Sequence, residues 1–582
     1  MKRTEFPDPQ RRRKNWQCLN GTWEFEIDNE KDGFSRGLLH HKLASKIEVP
    51  FSPECKLSGV QHTDFIRACW YRRTFTVSEQ NRNGRIMLCF GAVDFEAKVY
   101  VNGTFVGGHR GGYTPFSFDI TEWADREENE VVVYVEDDVS ANLPSGKQSP
   151  RRESFGCFYT RTTGIWQSVY LEFTPEEYIR SFRFYPDAER GRVEIETLTV
   201  GKGKIRAEVF YDGRLVGQAE ANEYFKNRLG IALSEKHLWE AGRGGLYDVR
   251  LIFGEDIVES YFGLRSAEYR EGKFLLNGKS VFQRFALAQG YYPAGVYTPA
   301  SVSEMEKDID IATEFGFNGL RLHQKVFDPY FLYLCDKRGI MVWGEFPGWG
   351  VRYSDLEGLG EFLTEWREVL ERDFNRPSII TWCPLNETWE DLDDSGKTRD
   401  VRFVDIVYDF TKKLDPTRPC IDVSGGYHGK NTDLFDYHDY GNIEGLTAVI
   451  EKLERENALY VDKLYAKGER RFYRGGEAVN LSEYGGMTIG DNVKTEITDC
   501  VRETNAWGYD TSPSEQVFTE KYIEMTRRIA DCKKISGCCY TQLYDVEQEQ
   551  NGLVTYDRRH KLSEENRKKI AECNRRKAAI ED

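Results

Sequence analysis

The chain has 582 residues, a formal net charge of −16, and 40% hydrophobic and 30% charged residues. That length is too great for one core and calls for roughly two to four domains. The acidic balance speaks against general binding of nucleic acid or of an anionic membrane surface.

Aromatic residues make up 14% of the chain. Such a surplus goes either into large β cores or into sites that stack on ring-shaped ligands. The 13 cysteines are scattered, with Cys538 and Cys539 adjacent and no CxxC spacing. That pattern argues against a disulfide framework and a zinc site, and for buried thiols in a reducing compartment. The N-terminus lacks an apolar signal core, and no run approaches about 18 apolar residues. The expectation is a cytoplasmic protein with no membrane span. The basic run Arg11–Lys14 reads as a solvated N-terminal arm.

Residues 1–175 read as β throughout. Runs such as Gly21–Ile27, Trp70–Val77, Arg85–Phe90 and Glu130–Val135 alternate with turn dipeptides, among them Asn102-Gly103. Asn-Gly suits a type I′ hairpin, because that turn needs positive φ at both central residues. Many short strands without helical periodicity predict a β-sandwich or jelly roll. Residues 176–266 continue the pattern in Arg192–Leu198, Lys204–Tyr211, Arg214–Ala219 and Leu246–Phe253, with Asp212-Gly213 as a turn. A segment of that size suits an immunoglobulin-like β-sandwich. No chemistry is visible in it.

From 267 to 582 strands alternate with amphipathic helices, predicted at Ser301–Phe315, Tyr330–Arg338 and Glu361–Phe374. Eight strands are expected: Ser280–Leu287, Asn318–His323, Ile340–Glu345, Ile379–Leu385, Cys420–Ser424, Leu434–His438, Ala478–Tyr484 and Ser536–Leu543. Eight βα units in this length predict a (β/α)8 TIM barrel. A doubly wound sheet would carry a Gly-rich fingerprint after its first strand, and none is present.

The chemistry gathers at the strand ends, where barrel enzymes place catalytic groups. Glu387 follows the fourth strand and Glu483 ends the seventh. Carboxylates on those two strands face each other across the barrel mouth, as retaining glycoside hydrolysis requires. One acts as a proton donor and the other, ionised, as a nucleophile. Arg321 and His323 close the second strand, Trp349 follows the third, His438 and Tyr440 close the sixth, and Gln542 closes the eighth. A His such as His438 is more often a structural hydrogen-bonding residue, but this many polar groups on one barrel face favour a site. A metal hydrolase built on His323, Glu345 and His438 is the chemical rival, without an HxH or HExxH spacing to support it. Cys383, in mid-strand beside Pro384, reads as packing rather than as a nucleophile.

These motifs resemble glycoside hydrolase family 2, the β-galactosidase, β-glucuronidase and β-mannosidase group. LNGTWEF (Leu19–Phe25), the stretch Phe90–Thr121, TTGIWQSVYLE (Thr162–Glu172), GFNGLRLHQK (Gly316–Lys325), PSIITWCPLNETW and LSEYGG carry the likeness along essentially the whole chain. The resemblance implies that Glu387 is the general acid/base and Glu483 the nucleophile, and that Asn386 hydrogen-bonds the sugar 2-hydroxyl. It implies net retention and no cofactor or metal for the chemistry. It also implies an oligosaccharide or glycoside substrate, β-galactosides first, and leaves room for a homo-oligomer. The alternatives are another sugar of the same family (a β-glucuronide, β-mannoside or arabinoside) and a non-catalytic carbohydrate-binding protein.

Two stretches depart from the family pattern. Many members carry an acid on a jelly-roll loop just ahead of the Gly-Ile turn. Here CFYTRTTGI puts Phe158 about where it would fall, and Arg161 either substitutes for the acid or, the favoured reading, is structural. β-Glucuronidases resemble one another in an Asn-x-Lys that grips the uronate. The match here, Asn492-Val493-Lys494, comes early, which argues against a glucuronidase. The acidic cluster Asp545, Glu547 and Glu549 reads as a solvated loop in preference to a cation site.

Overall fold

The computed structural model describes residues 3–139, 142–223, 226–354, 356–388, 400–426, 428–459, 473–490 and 506–581. The motif Asn492-Val493-Lys494 lies outside them.

The N-terminal β region folds into two facing antiparallel sheets. One holds Trp16–Cys18, Val169–Thr174, Arg85–Phe90 and Phe116–Asp119; the other is six-stranded, with Ala68–Thr76 and Glu128–Glu136 at its centre. Alternation decides which side chains enter: Trp23 and Phe25 are buried, and so are Val131, Val133 and Val135. The Asn102-Gly103 hairpin forms as expected, with φ of 51° and 84° and Val101 opposite Thr104.

The next sandwich pairs a three-stranded sheet with a four-stranded one. The first holds Tyr178–Asp187, Arg192–Val200 and Lys226–Ala232; the second holds Arg214–Glu223, Gly203–Tyr211, Leu246–Phe253 and Asp256–Gly263. The turn at Asp212-Gly213 has φ of 47° and 73°. Val193, Ile195, Ile205, Val249 and Leu251 form the core between the sheets.

Seven of the eight expected barrel strands form one parallel sheet. Its order is Ile379–Cys383, Met341–Glu345, Gly319–Leu322, Gln283–Ala288, Ile535–Thr541, Val479–Gly485, Phe435–Asp439. Their near-continuous apolar runs are what strands covered on both faces require. Helix Val302–Glu314 starts after Ser301 and buries Met305, Ile309 and Ala312, as its periodicity predicts.

The remaining segment, 420–424, makes only isolated bridges, Cys420 with Trp382 and Ser424 with Asn386. On its other side, among the described residues, a ladder to Phe435–Asp439 is replaced by single bonds. Asp433 N–H donates to Cys420 O at 3.1 Å, and Gly425 N–H to the Asp436 carboxylate at 3.1 Å.

Candidate active site

Alternation along Gly319–Leu322 turns Leu320 and Leu322 toward the helices and Arg321 into the barrel lumen. Arg321 is fully buried there. Its Nε donates to Glu345 Oε1, its Nη1 to Glu483 Oε1 at 2.7 Å and its Nη2 to Asn386 Oδ1 at 2.5 Å. One guanidinium thus ties together three of the strand ends singled out above. Glu345 spends its other oxygen on His323 Nδ1 (3.1 Å) and on the Gln324 N–H (3.0 Å).

The two glutamates reach the lumen by different backbone devices. Register shifts between Leu481 and Tyr484, and between Tyr437 and His438 on the neighbouring strand, break the alternation. Such an irregularity re-aims a side chain, here Glu483 and His438. Glu387 sits at φ 42°, a left-handed conformation that non-glycine residues seldom adopt and that clusters at functional sites. Its N–H is held by Ser424 O at 2.9 Å.

An oxygen of Glu387, an oxygen of Glu483 and a ring nitrogen of His438 all lie within 4.8 Å of one another. So close an approach of two carboxylate oxygens is compatible with the ~5–5.5 Å between the carboxyl groups of a retaining pair. His438 Nδ1 is 2.6 Å from Glu387 Oε1 and 3.5 Å from Glu483 Oε2, and its Nε2 meets Ser424 Oγ at 3.0 Å. Tyr440 donates its O–H to Glu483 Oε2. Burial by itself would raise the Glu483 carboxyl, but His438, Arg321 and His323, with the Tyr440 hydrogen bond, pull it down to about 2. Burial likewise disfavours a charged His438, yet Glu483 and Glu387 raise it above the ordinary histidine value. His323, buried and beside Lys147 and Arg321, is held well below that value. The lumen therefore fixes one ionised carboxylate under a cationic and hydrogen-bonded cage. A second carboxylate, with 16% of its side chain exposed, faces the opening.

The other expected residues fall into two groups. Trp349 donates Nε1–H to Asn386 O at 2.9 Å and packs against Phe158, so it lines the mouth. Asn386 keeps Nδ2 buried and without a hydrogen-bond partner among the described residues, so a donor stands open. Arg321 and Gln542 are completely buried and lie beneath the mouth. Gln542 is held between Gln289 (2.9 Å) and Asn551 (2.8 Å). His323 and Glu345 bond each other directly at 3.1 Å, and the Arg321 guanidinium takes the other oxygen of Glu345. Cys383 is buried in the core among Trp343, Ile380 and Ile421, and burial pushes its thiol well above the ordinary value.

The solvated-loop reading of Asp545, Glu547 and Glu549 is overturned. Asp545 and Glu549 are buried, and the three point to different partners. Asp545 pairs with Lys561 at 2.5 Å, Glu547 accepts from the Thr160 N–H at 3.2 Å, and Glu549 accepts from Tyr159 Oη and from Asn551 at 3.1 Å. Charges four residues apart or less look solvated in sequence, while the Thr160 and Tyr159 partners of Glu547 and Glu549 lie hundreds of positions away. Arg161 is buried against Thr63 O, Ser149 O and Arg151 O, a jelly-roll brace as expected. The sequence reading missed Lys147 and the aromatic wall in which Tyr509 stacks on Tyr440 at 3.6 Å, with Trp507 edge-on at 5.1 Å. The Trp507-Gly508-Tyr509 triplet was the signal available for the wall.

Among the described residues no cysteine forms a disulfide, and no helix is long and apolar enough to cross a membrane.

Comparison with known proteins agrees with this architecture. A β-galactosidase of Thermoanaerobacter pseudethanolicus is 30% identical over 73% of this chain and 57% of its own length. The chain thus spans little more than half of that relative. A β-glucuronidase of Rattus norvegicus is 26% identical over 74% of this chain and 73% of its own. Among solved structures, the β-glucuronidase of an uncultured Clostridium sp. superposes with a TM-score of 0.77 at 22% identity, over 98% of this chain and 100% of that one, which shows a shared fold. The model of the family 2 glycosyl hydrolase sugar-binding domain matches residues 16–175 and that of the family's TIM barrel domain residues 268–464; the chain belongs to glycoside hydrolase family 2.

Proposed function

We propose that the protein is a retaining exo-β-glycosidase that removes a terminal non-reducing sugar by double displacement. The observation that carries this is the pair itself: Glu387 and Glu483 within 4.8 Å, with Glu483 held ionised by Arg321, His438 and Tyr440. Glu483 attacks the anomeric carbon as Glu387 gives its proton to the departing glycosidic oxygen, so the C–O bond to the aglycone breaks and a glycosyl ester forms. Water then attacks the same carbon, Glu387 takes a proton from it, and Glu483 leaves as carboxylate. Each displacement inverts, so the sugar leaves with its configuration retained. The open Nδ2–H of Asn386 supplies the donor for a sugar hydroxyl, a contact that strengthens as positive charge grows on the ring.

For the sugar we take a β-galactoside first, supported by the relative of that name at 30% identity. A purely carbohydrate-binding protein would need neither the close carboxylate pair nor the cage around Glu483. The test is turnover of 4-nitrophenyl β-galactoside, β-glucuronide, β-mannoside and α-arabinoside, with and without a chelator, and the anomer of the first product by NMR. Release of the β-anomer supports the reading; release of the inverted anomer, or loss of turnover with chelator, overturns it.

A further inference from the structure

Two buried lysines lie near the barrel mouth, and they are spent differently. Lys325 donates its Nζ to Tyr297 O at 2.7 Å and to Gly290 O, and it packs beside Tyr297 and Trp166. It is a structural brace. Lys147 arrives from the jelly roll on a loop that is pinned on both sides. Ser145 and Gly146 donate their N–H groups to Trp349 O at 2.8 and 2.9 Å, and Gln148 Nε2 bonds Asp94 (2.8 Å) and Tyr113 Oη (3.0 Å). The Lys147 carbonyl accepts from Tyr159 N–H at 2.8 Å.

The Lys147 side chain so delivered is 7% exposed, with Nζ 5.1 Å from the ring centre of Trp349 and 6.0 Å from that of Tyr159. Among the described residues its Nζ makes no hydrogen bond and no ion pair. Burial alone would discharge an ammonium, but Cys157 and then Glu549, Glu483 and Glu387 nearby raise it above the ordinary lysine value. The charge is therefore compensated by the field of the site, while the three N–H donors are not satisfied by any acceptor. Holding an ammonium with no acceptor from the described residues in so enclosed a place is costly, and packing against Trp349 would be served as well by Met or Leu.

We infer that Lys147 is a specificity-determining residue of the sugar site, donating hydrogen bonds to an oxygen substituent of the terminal sugar. This rests on the glycosidase reading. It places a cationic donor on the jelly-roll wall where the family's usual acid is missing. The acceptor is a hydroxyl in a neutral sugar or a carboxylate in a uronic acid.

The test compares full-length wild type with Lys147→Met and Lys147→Gln on aryl β-galactoside, β-glucuronide and glucuronide methyl ester. Inhibition by the product sugar and thermal unfolding are measured alongside. The expected result for Lys147→Met is a loss of about 10- to 100-fold in kcat/KM on the substrate that wild type prefers. Product-sugar affinity should weaken in parallel, with a melting temperature equal to or above wild type because an unsatisfied charge has gone. Lys147→Gln, which keeps a donor, should fall between the two. A loss confined to the free glucuronide assigns a carboxylate acceptor, and an equal loss on the galactoside assigns a hydroxyl. A Met variant within twofold of an active wild type overturns the inference and leaves the glycosidase reading standing. A wild type that hydrolyses no β-glycoside overturns both.

Discussion

The two β-sandwiches dock at opposite ends of one barrel, and they contribute in opposite ways. The jelly roll reaches the C-terminal ends of the strands. Its loops bond Trp349, Glu547 and Glu549, and Trp507 and Gln548 bond back to Gly156 O at 2.8 and 2.7 Å. The second sandwich meets the N-terminal ends. Trp239 bonds Asp336 O at 2.7 Å, and Arg265 bonds Pro377 O and Ile379 O at 2.9 and 2.7 Å. In a TIM barrel the first end is where chemistry occurs and the second is where stability resides. Both sandwiches use polar contacts, so polarity alone does not mark function. At the top, Lys147 Nζ and Asn386 Nδ2 are left open toward a ligand, whereas the Arg265 bonds at the bottom end on backbone carbonyls of the strand they hold.

The largest effect belongs at the top. Glu483→Gln should lower kcat by at least about 10^4-fold, the scale seen when a nucleophile is deleted, with the fold intact by circular dichroism. Ordinary turnover in that variant would remove Glu483 from the chemistry and with it the functional asymmetry of the two ends. The next effect belongs at the bottom. Arg376 is fully buried and bonds Tyr261 Oη and Asp8 (2.8 Å), with Asp336 at 3.5 Å and Asp373 at 3.8 Å. Arg376→Met strands those carboxylates and should cost about 3–5 kcal/mol in denaturant unfolding. Activity per folded molecule should stay within about twofold. A fall in kcat without a fall in stability would show that the bottom end also shapes the site.

Tyr440→Phe should sharpen the account of the nucleophile. Removing the O–H donated to Glu483 should reduce kcat by about 10- to 100-fold. The sign in pH follows from the depressed carboxyl. Its ionised form is stabilised, so the nucleophile of the wild type stays charged as pH falls toward about 2, and the stability it contributes is present above the ordinary carboxyl value and lost on that same descent. Loss of the donor raises the folded value, so the acid limb of the variant's kcat profile should move to higher pH. An unmoved acid limb would show that Arg321 and His438 suffice.

Much of this was legible in sequence, for reasons that also explain the gaps. The strands that carry Glu387 and Glu483 were readable because Ile379–Trp382 is an apolar β-branched and aromatic run and Val479 and Leu481 alternate with polar residues, patterns that suit a strand. The Asn102-Gly103 and Asp212-Gly213 hairpins were readable because positive φ is a local demand. Lys147 was not readable. Nothing local distinguishes a surface lysine in Ser145–Ser149 from one inserted over Trp349, two hundred residues further on. Glu549 failed for the same reason in reverse: its partner Tyr159 comes from another domain, so its loop looked solvated. Segment 420–424 was read as a barrel strand, but its sequence could not show that it would make only isolated bridges and that its outer edge would be stitched by side chains.

That stitched edge supplies the smallest and most specific prediction. Where the ladder beside 420–424 is missing, His428 lies between Asp422 Oδ1 at 2.7 Å and Asp436 O at 3.2 Å. Asp436 in turn accepts from Ser482 Oγ and from Ser424 Oγ at 3.0 Å, and Ser424 touches His438. Burial opposes the charge on His428, but Asp422 and Asp436 raise it to about 10. A group raised in the folded state gives stability that is complete below its unfolded value of ~6.5 and is lost as pH rises through the folded value. The wild-type melting temperature should therefore decline between those limits, on the order of 2–4 °C for each kcal/mol lost. His428→Gln should start lower and show a flatter profile over the same range. Parallel profiles for the two proteins would mean that His428 is not the ion that bridges the broken ladder. In that case the link from this edge of the barrel to His438, and so to the Glu387–Glu483 pair, would be packing and not charge.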